Sequence, residues 1–192
     1  MRHIISVLVE NEFGVLARVS GLFSVRGFNI ESLCVAETTD PSVSRITLVT
    51  SGDDQVLEQI TKQLNKLINV IKVSDFANAS HVERELALVK VSADERTRGE
   101  VMNVVNIFRG KVVDVAQNSY VVEVTGAEEK VNAFIDLIKP YGIKETVRTG
   151  IVAMFRGAQV LGDAAKEDKA PAAARAEQSP PVVREVEGIE FV

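Results

Sequence analysis

The chain has no tryptophan, one cysteine, two histidines and only 5% aromatic residues in its 192 positions. Each scarcity removes a class of reading. A single cysteine, Cys34, cannot form an internal disulfide, so nothing here marks a stapled secreted domain. Set in a β-rich run, it is expected to be a small buried hydrophobe and not a reactive thiol. His3 and His81 stand far apart with no Cys or His at ligand spacing around them, which argues against a zinc site and leaves them as solvated or interfacial side chains. No stretch approaches the roughly 18 to 20 apolar residues of a membrane span. The N-terminal run MRHIISVLVENEFG lacks the small-residue cleavage site of a signal peptide, so a cytoplasmic protein is expected, with no membrane partner. A net charge of -5 offers no general attraction to a phosphate backbone, and nucleic acid is not expected as a partner.

What is present is aliphatic and periodic. Hydrophobic residues make up 46% of the chain, enough for two small domains with aliphatic cores. Residues 2–10 alternate as a buried strand, with Ile5, Val7 and Val9 on one face and Ile4 and Leu8 on the other. From Gly14, apolar residues at Val15, Leu16, Val19, Leu22 and Phe23 follow the spacing of one helix face, and Gly27 suits its C-terminal cap. Residues 29–37 and 44–50 are β-rich runs joined by a turn at Asp40-Pro41, and Asp53 can cap a second helix carrying Val56, Ile60, Leu64, Leu67 and Ile68. A strand over 70–76 closes the order β-α-β-β-α-β.

The same order then recurs without the same sequence: strand 86–92, helix 96–108, strands 111–116 and 119–125, helix 127–140 and strand 143–149. The apolar run TGIVAMF extends the last strand or adds another. The expected domains are 1–78, a linker at 79–85, 86–158, and a tail at 159–192 whose Ala, Pro, Lys and Glu content predicts disorder. The closing stretch VVREVEGIEFV is apolar enough to dock on something. The fold class is α+β: two tandem ferredoxin-like domains, each an antiparallel sheet with its helices on one face.

That scaffold decides no function by itself. Base stacking on RNA needs aromatic residues on the central strands, and SRITLVTS and KVVDVAQ have none. An enzyme needs a nucleophile, an acid-base pair or a metal cluster, and no such constellation is visible, so neither catalytic nor metal-binding residues are assigned.

The segment ENEFGVLARVSGLFSVRGFNIESL resembles the signature of ACT domains, and specifically that of the acetolactate synthase small-subunit family; DPSVSRITLVTSGD, LEQITKQLNKLINVIKVSD, HVERELALVKV and FRGKVVDV extend the resemblance over about residues 1–158. It implies a regulatory subunit that activates a separate catalytic large subunit and confers feedback inhibition by valine, in the synthesis of branched-chain amino acids. Thiamine diphosphate, Mg²⁺ and FAD would belong to the large subunit, with no cofactor in this chain. It also implies a homodimer of ACT domains joined edge to edge. Valine would lie at the seam, touching Asn11, Gly14, Val15 and Leu16 of one chain and Asn29 and Ile30 of its neighbour.

The residues themselves are compatible with that assignment. Gly14 stands at a helix N-terminus, where unpaired N–H groups and the positive dipole end favour a carboxylate, and the amides of Asn11 and Asn29 can meet both charged groups of an α-amino acid. Each also has a plain structural role: Asn11 as a helix cap, Gly14 as a turn residue, Val15 and Leu16 as core. The corresponding loop of the second half, SADERTRG, lacks both Asn and Gly at equivalent places, so no valine is expected there. A stand-alone amino-acid sensor acting on another enzyme or on transcription is the alternative.

Overall fold

The computed structural model describes residues 1–77 and 79–161. The first unit runs β1 (Arg2–Glu10), α1 (Val15–Val25), β2 (Ser32–Glu37), β3 (Val43–Ser51), α2 (Asp54–Leu64) and β4 (Val70–Asp75). The second runs β5 (His81–Ser92), α3 (Arg98–Ile107), β6 (Lys111–Ala116), β7 (Ser119–Gly126), α4 (Glu128–Ile138), a 3₁₀ turn at Lys139–Tyr141, and β8 (Ile143–Arg148), with β9 (Val152–Phe155) added. The sheets are ordered β2-β3-β1-β4 and β6-β7-β5-β8, every pair antiparallel. These are the two expected ferredoxin-like units.

Period-two alternation sends Ile5, Val7, Val9, Ile46 and Leu48 to the helix side of the first sheet, where they meet Val15, Val19, Leu22 and Phe23 of α1 and Ile60 and Leu64 of α2. The second sheet repeats this with Ala87, Val89, Val91, Val122 and Val124 against Val101, Val105, Val131, Phe134 and Ile138. Asp53 caps α2 as expected, its carboxylate accepting from the Val56 amide at 2.8 Å. The α2 face ends early, however. The helix stops at Leu64, and Ile68, expected on its inner face, is exposed.

At the seam between the units one expectation changes and one left open is decided. Residues 81–85, expected to be linker, are the start of β5, where His81–Arg84 pair with β9 and Glu85 with Gly126. The segment TGIVAMF therefore adds a strand and does not lengthen β8. The β5–β9 ribbon lies on the open face of the first sheet: Ile4, Val49, Phe76, Ile151 and Ala153 form a third buried cluster, with the Phe76 and Phe155 rings 4.4 Å apart. Ser32 Oγ accepts from the Ile151 amide at 3.1 Å, and Arg45 donates to the Ala153 carbonyl. Gly150 is required at this crossing. Its φ of +80° suits glycine, and a Cβ there would stand 2.6 Å from Ser32 Oγ.

His3, expected to be solvated or interfacial, is 2% exposed on the helix side, with Nε2 3.3 Å from the Gly52 carbonyl. Cys34 is half-buried on the open face, less enclosed than expected. The expected tail falls almost wholly on residues 162–192, outside the described residues.

Candidate functional site

The loop between β1 and α1 is held from both sides. On one side Asn11 donates its backbone amide to Ser42 O at 2.7 Å and its side-chain N–H groups to Glu37 Oε1 at 3.0 Å and Pro41 O at 2.9 Å. Both donors of its amide are thereby committed to the β2–β3 hairpin, and only Oδ1 is left to accept from a ligand's ammonium group. On the other side stands Asn69, which sequence reasoning did not single out. It is 6% exposed, donates to Glu10 Oε2 and Glu12 Oε2 at 2.9 Å each, and accepts from Arg18 Nη1 at 2.5 Å. Its carbonyl also receives the Glu10 amide at 2.9 Å.

One amide thus joins the end of β1, the loop and the first turns of α1. Nothing local in the sequence around Asn69 announces this, because its partners lie more than fifty residues away. Asn69→Ala is expected to lower unfolding free energy by about 2 kcal/mol, since it strands a half-buried carboxylate and a guanidinium that now share a partner. A urea denaturation midpoint checks this.

Gly14 is the N-cap of α1, with φ of 82° in the left-handed region. No side chain caps this end, and the first turn carries no acidic residue. The other helices differ. Asp53 caps α2, Glu100 sits in the first turn of α3, and Glu128 and Glu129 open α4. In the second domain the loop before α3 is filled by its own carboxylate: Asp94 Oδ1 accepts from the Thr97 amide, the Thr97 hydroxyl and the Arg96 amide, each at 2.9 Å. The Thr97 and Arg96 bonds hold this carboxyl below the ordinary aspartate range. The α1 terminus has no such internal anion among the described residues; the Val15 amide donates to Glu12 O at 3.4 Å, and an incoming carboxylate would meet the amides of Leu16 and Ala17.

The four expected residues of this loop do not all face outward. Val15 is 3% exposed and packs into the first core, and its amide donates to Glu12 O at 3.4 Å, so its side chain offers a ligand nothing. Leu16 is exposed, and so is Phe13, an apolar neighbour of Gly14 that sequence reasoning passed over. Its only signal was a lone aromatic in an otherwise polar loop.

Asn29 and Ile30 lie elsewhere. They follow α1, at the opposite end of a helix of 11 residues, about 16 Å long. Asn29 is exposed and its carbonyl accepts from Thr50 Oγ1 at 2.7 Å. Within one chain the two groups are therefore apart, one beside the end of β2 through the Asn11–Glu37 bond, the other beside its start. The edge of β2 away from β3 has no partner among the described residues, and Leu33 and Val35 are exposed on it. A second β2 laid antiparallel along that edge brings the start of one strand to the end of the other. Such a pairing would bring Asn29 and Ile30 of a second copy toward the loop of the first.

Among the described residues no cluster of three His, Cys, Asp or Glu side chains could hold a metal ion, and no helix is long and apolar enough to cross a membrane.

Comparison with known proteins identifies the family of both domains. Residues 5–72 match a family model described as AHAS small subunit-like ACT domain, and residues 84–157 one described as small subunit of acetolactate synthase. The probable acetolactate synthase small subunit of Archaeoglobus fulgidus is 59% identical over 157 residues, covering 82% of this chain and 98% of that protein. The acetolactate synthase isozyme 3 small subunit of Escherichia coli is 49% identical over 162 residues, 84% of this chain and 99% of that one. Among solved structures, the acetolactate synthase small subunit of Thermotoga maritima superposes with a TM-score of 0.77 at 43% identity, covering 83% of this chain and 99% of its own.

Proposed function

The chain belongs to the acetolactate synthase small-subunit family, and from that premise we propose that it activates the catalytic subunit and transmits feedback inhibition by valine. It is a regulatory subunit, and its family name implies a catalytic large subunit as partner. Thiamine diphosphate, Mg²⁺ and FAD would be held by that large subunit, and none by this one.

One observation carries the effector reading: the amide-rich N-terminus of α1 at Gly14, uncapped and without an acidic first turn, beside exposed Leu16. A valine carboxylate would lie on those amides and its ammonium group on Asn11 Oδ1, while its isopropyl group would meet Leu16 and, across a β2–β2 seam, Ile30 of the second copy. Selectivity against larger side chains would follow from the size of that aliphatic wall. Inhibition requires that valine favour one arrangement of the dimer over another, by coupling typically of about 1–3 kcal/mol. Because linkage is reciprocal, the catalytic subunit would weaken valine binding by the factor by which valine weakens the active assembly.

The test is a pair of measurements. Calorimetric titration of the purified chain with valine should give saturable heat, and mixing the chain with the catalytic subunit should raise the rate of pyruvate condensation and make it valine-sensitive. Activation without valine heat would remove the effector site and keep the subunit role. Valine heat without activation would favour a sensor serving another enzyme.

A further inference from the structure

The open face of the first sheet is only half covered by the β5–β9 ribbon. Beside the covered part runs a groove of about 720 Å³. Its floor is built by Cys34, Ala36 and Arg45, and its wall by Val82, Arg84 and Met154. Met154 is 64% exposed, a large apolar side chain left uncovered at the rim. Arg45 is the unusual feature. Its guanidinium is half-buried, donates to Ser6 Oγ at 2.9 Å and to the Ala153 carbonyl, and forms no ion pair among the described residues. Burial pushes its pKa below the ordinary arginine value, as expected for a cation partly stripped of water without a counter-ion. Arg84 adds a second positive charge, also without an ion pair among the described residues. The acidic residue of the lining, Glu37, is engaged by Asn11.

The groove therefore suits an occupant that is apolar and acidic together. The chain carries such a segment. Residues 182–192, VVREVEGIEFV, combine Val186, Ile189 and Phe191 with Glu185, Glu187 and Glu190, against one basic residue, Arg184. β9 lines the groove and ends at Phe155, six residues before Leu161, the last described residue. The residues between, 162–181, span up to about 66 Å when extended, so reach is not limiting. The Archaeoglobus and Escherichia relatives are matched over nearly their whole lengths by 157 and 162 residues of this chain, so a stretch about as long as the tail has no counterpart in them. A device made by the tail would thus be an addition to the family's common part.

We infer that residues 182–192 bind in the groove between β2–β3 and the β5–β9 ribbon, with their glutamates toward Arg45 and Arg84 and their apolar side chains on Ala36, Val82 and Met154. Tethering makes this an intramolecular event, so a weak contact suffices. Occupied, the groove would be closed to any other partner of this face.

Cys34, the chain's one cysteine, lies in the groove floor and reports occupancy through its alkylation rate. The full chain is expected to react with iodoacetamide about tenfold more slowly than a chain truncated after Pro181, given an effective concentration on the order of 1 mM against a dissociation constant of about 0.1 mM. A synthetic peptide of residues 182–192 should restore slow labelling to the truncated chain. The double substitution Glu187→Lys and Glu190→Lys, placed outside the two folded domains, should label as fast as the truncation. Equal rates in full and truncated chains overturn the inference. Slow labelling in both that quickens on dilution assigns the groove to a second copy, and slowing only on addition of the catalytic subunit assigns it to that partner; both overturn it. Valine is absent throughout, so the result stands apart from the effector assignment.

Discussion

Replacing Val35 with proline is expected to convert the proposed β2–β2 dimer to a monomer and to weaken valine binding by more than about 100-fold, because it blocks one edge of one strand and nothing else. Ladder phase decides which edge is blocked. Thr38 donates to the Val43 carbonyl at 2.9 Å, and the register pairs Ala36 with Arg45, Cys34 with Thr47 and Ser32 with Val49. In an antiparallel ladder the amides alternate in direction, so 32, 34 and 36 face β3 while 33, 35 and 37 face the open edge. Proline at 35 deletes an outward N–H and places its ring where a second strand would lie, and the β2–β3 ladder keeps its bonds. The extended conformation required of Cys34 before a proline is the one a strand already has. Sedimentation equilibrium reads the first effect and calorimetry the second. A V35P chain that remains dimeric and binds valine as the parent does would refute the β2–β2 seam, and with it the route by which Asn29 and Ile30 reach the loop.

The parts of this molecule that were legible in the sequence are those set by local period. β1 is an apolar run buried on both faces and bounded by Arg2 and Glu10, so its extent follows from nine residues. The helices announce themselves by apolar spacing, and α2 by Asp53 as well. What was not legible depends on partners far away in the chain. The run HVERE carries three charged residues and resembles linker, yet it is strand, because its ladder partner is Val152–Phe155 and the apolar surface beneath it is Ile4 and Val49. His3 is buried by the same kind of distant closure, at Gly52. In the site, sequence spacing grouped Val15 with Leu16, whereas the phase of α1 turns Val15 inward and Leu16 outward. A helix face is wide enough to hold both, and only packing decides between them. Asn69 was invisible for the simplest reason: its three side-chain partners, Glu10, Glu12 and Arg18, lie close to one another in sequence but far from it.

The second large effect is expected at Gly14. An aspartate there should raise the valine dissociation constant by at least about 100-fold while the activation of the catalytic subunit is retained, since it sets a like charge and extra volume where the ligand carboxylate would lie. The fold should tolerate the change. A Cβ built on Gly14 meets nothing within 4 Å, and although φ is +82°, aspartate is among the residues that enter the left-handed region at least cost. An acidic residue at a helix N-terminus gains about 0.3–1 kcal/mol from the helix dipole, which offsets part of the strain of a side chain at this φ. Stability and inhibition therefore report on different things. If α1 has an uncapped terminus merely by accident, G14D should lower thermal stability slightly and leave valine inhibition as it was. If the terminus is kept open for an effector, the same small change in stability should come with loss of inhibition. The comparison is with Asp94 in the second domain, where the chain's own carboxylate already occupies the amides of Arg96 and Thr97. G14D would make the first loop resemble the second, and the holoenzyme should then run at its activated rate in the presence of valine.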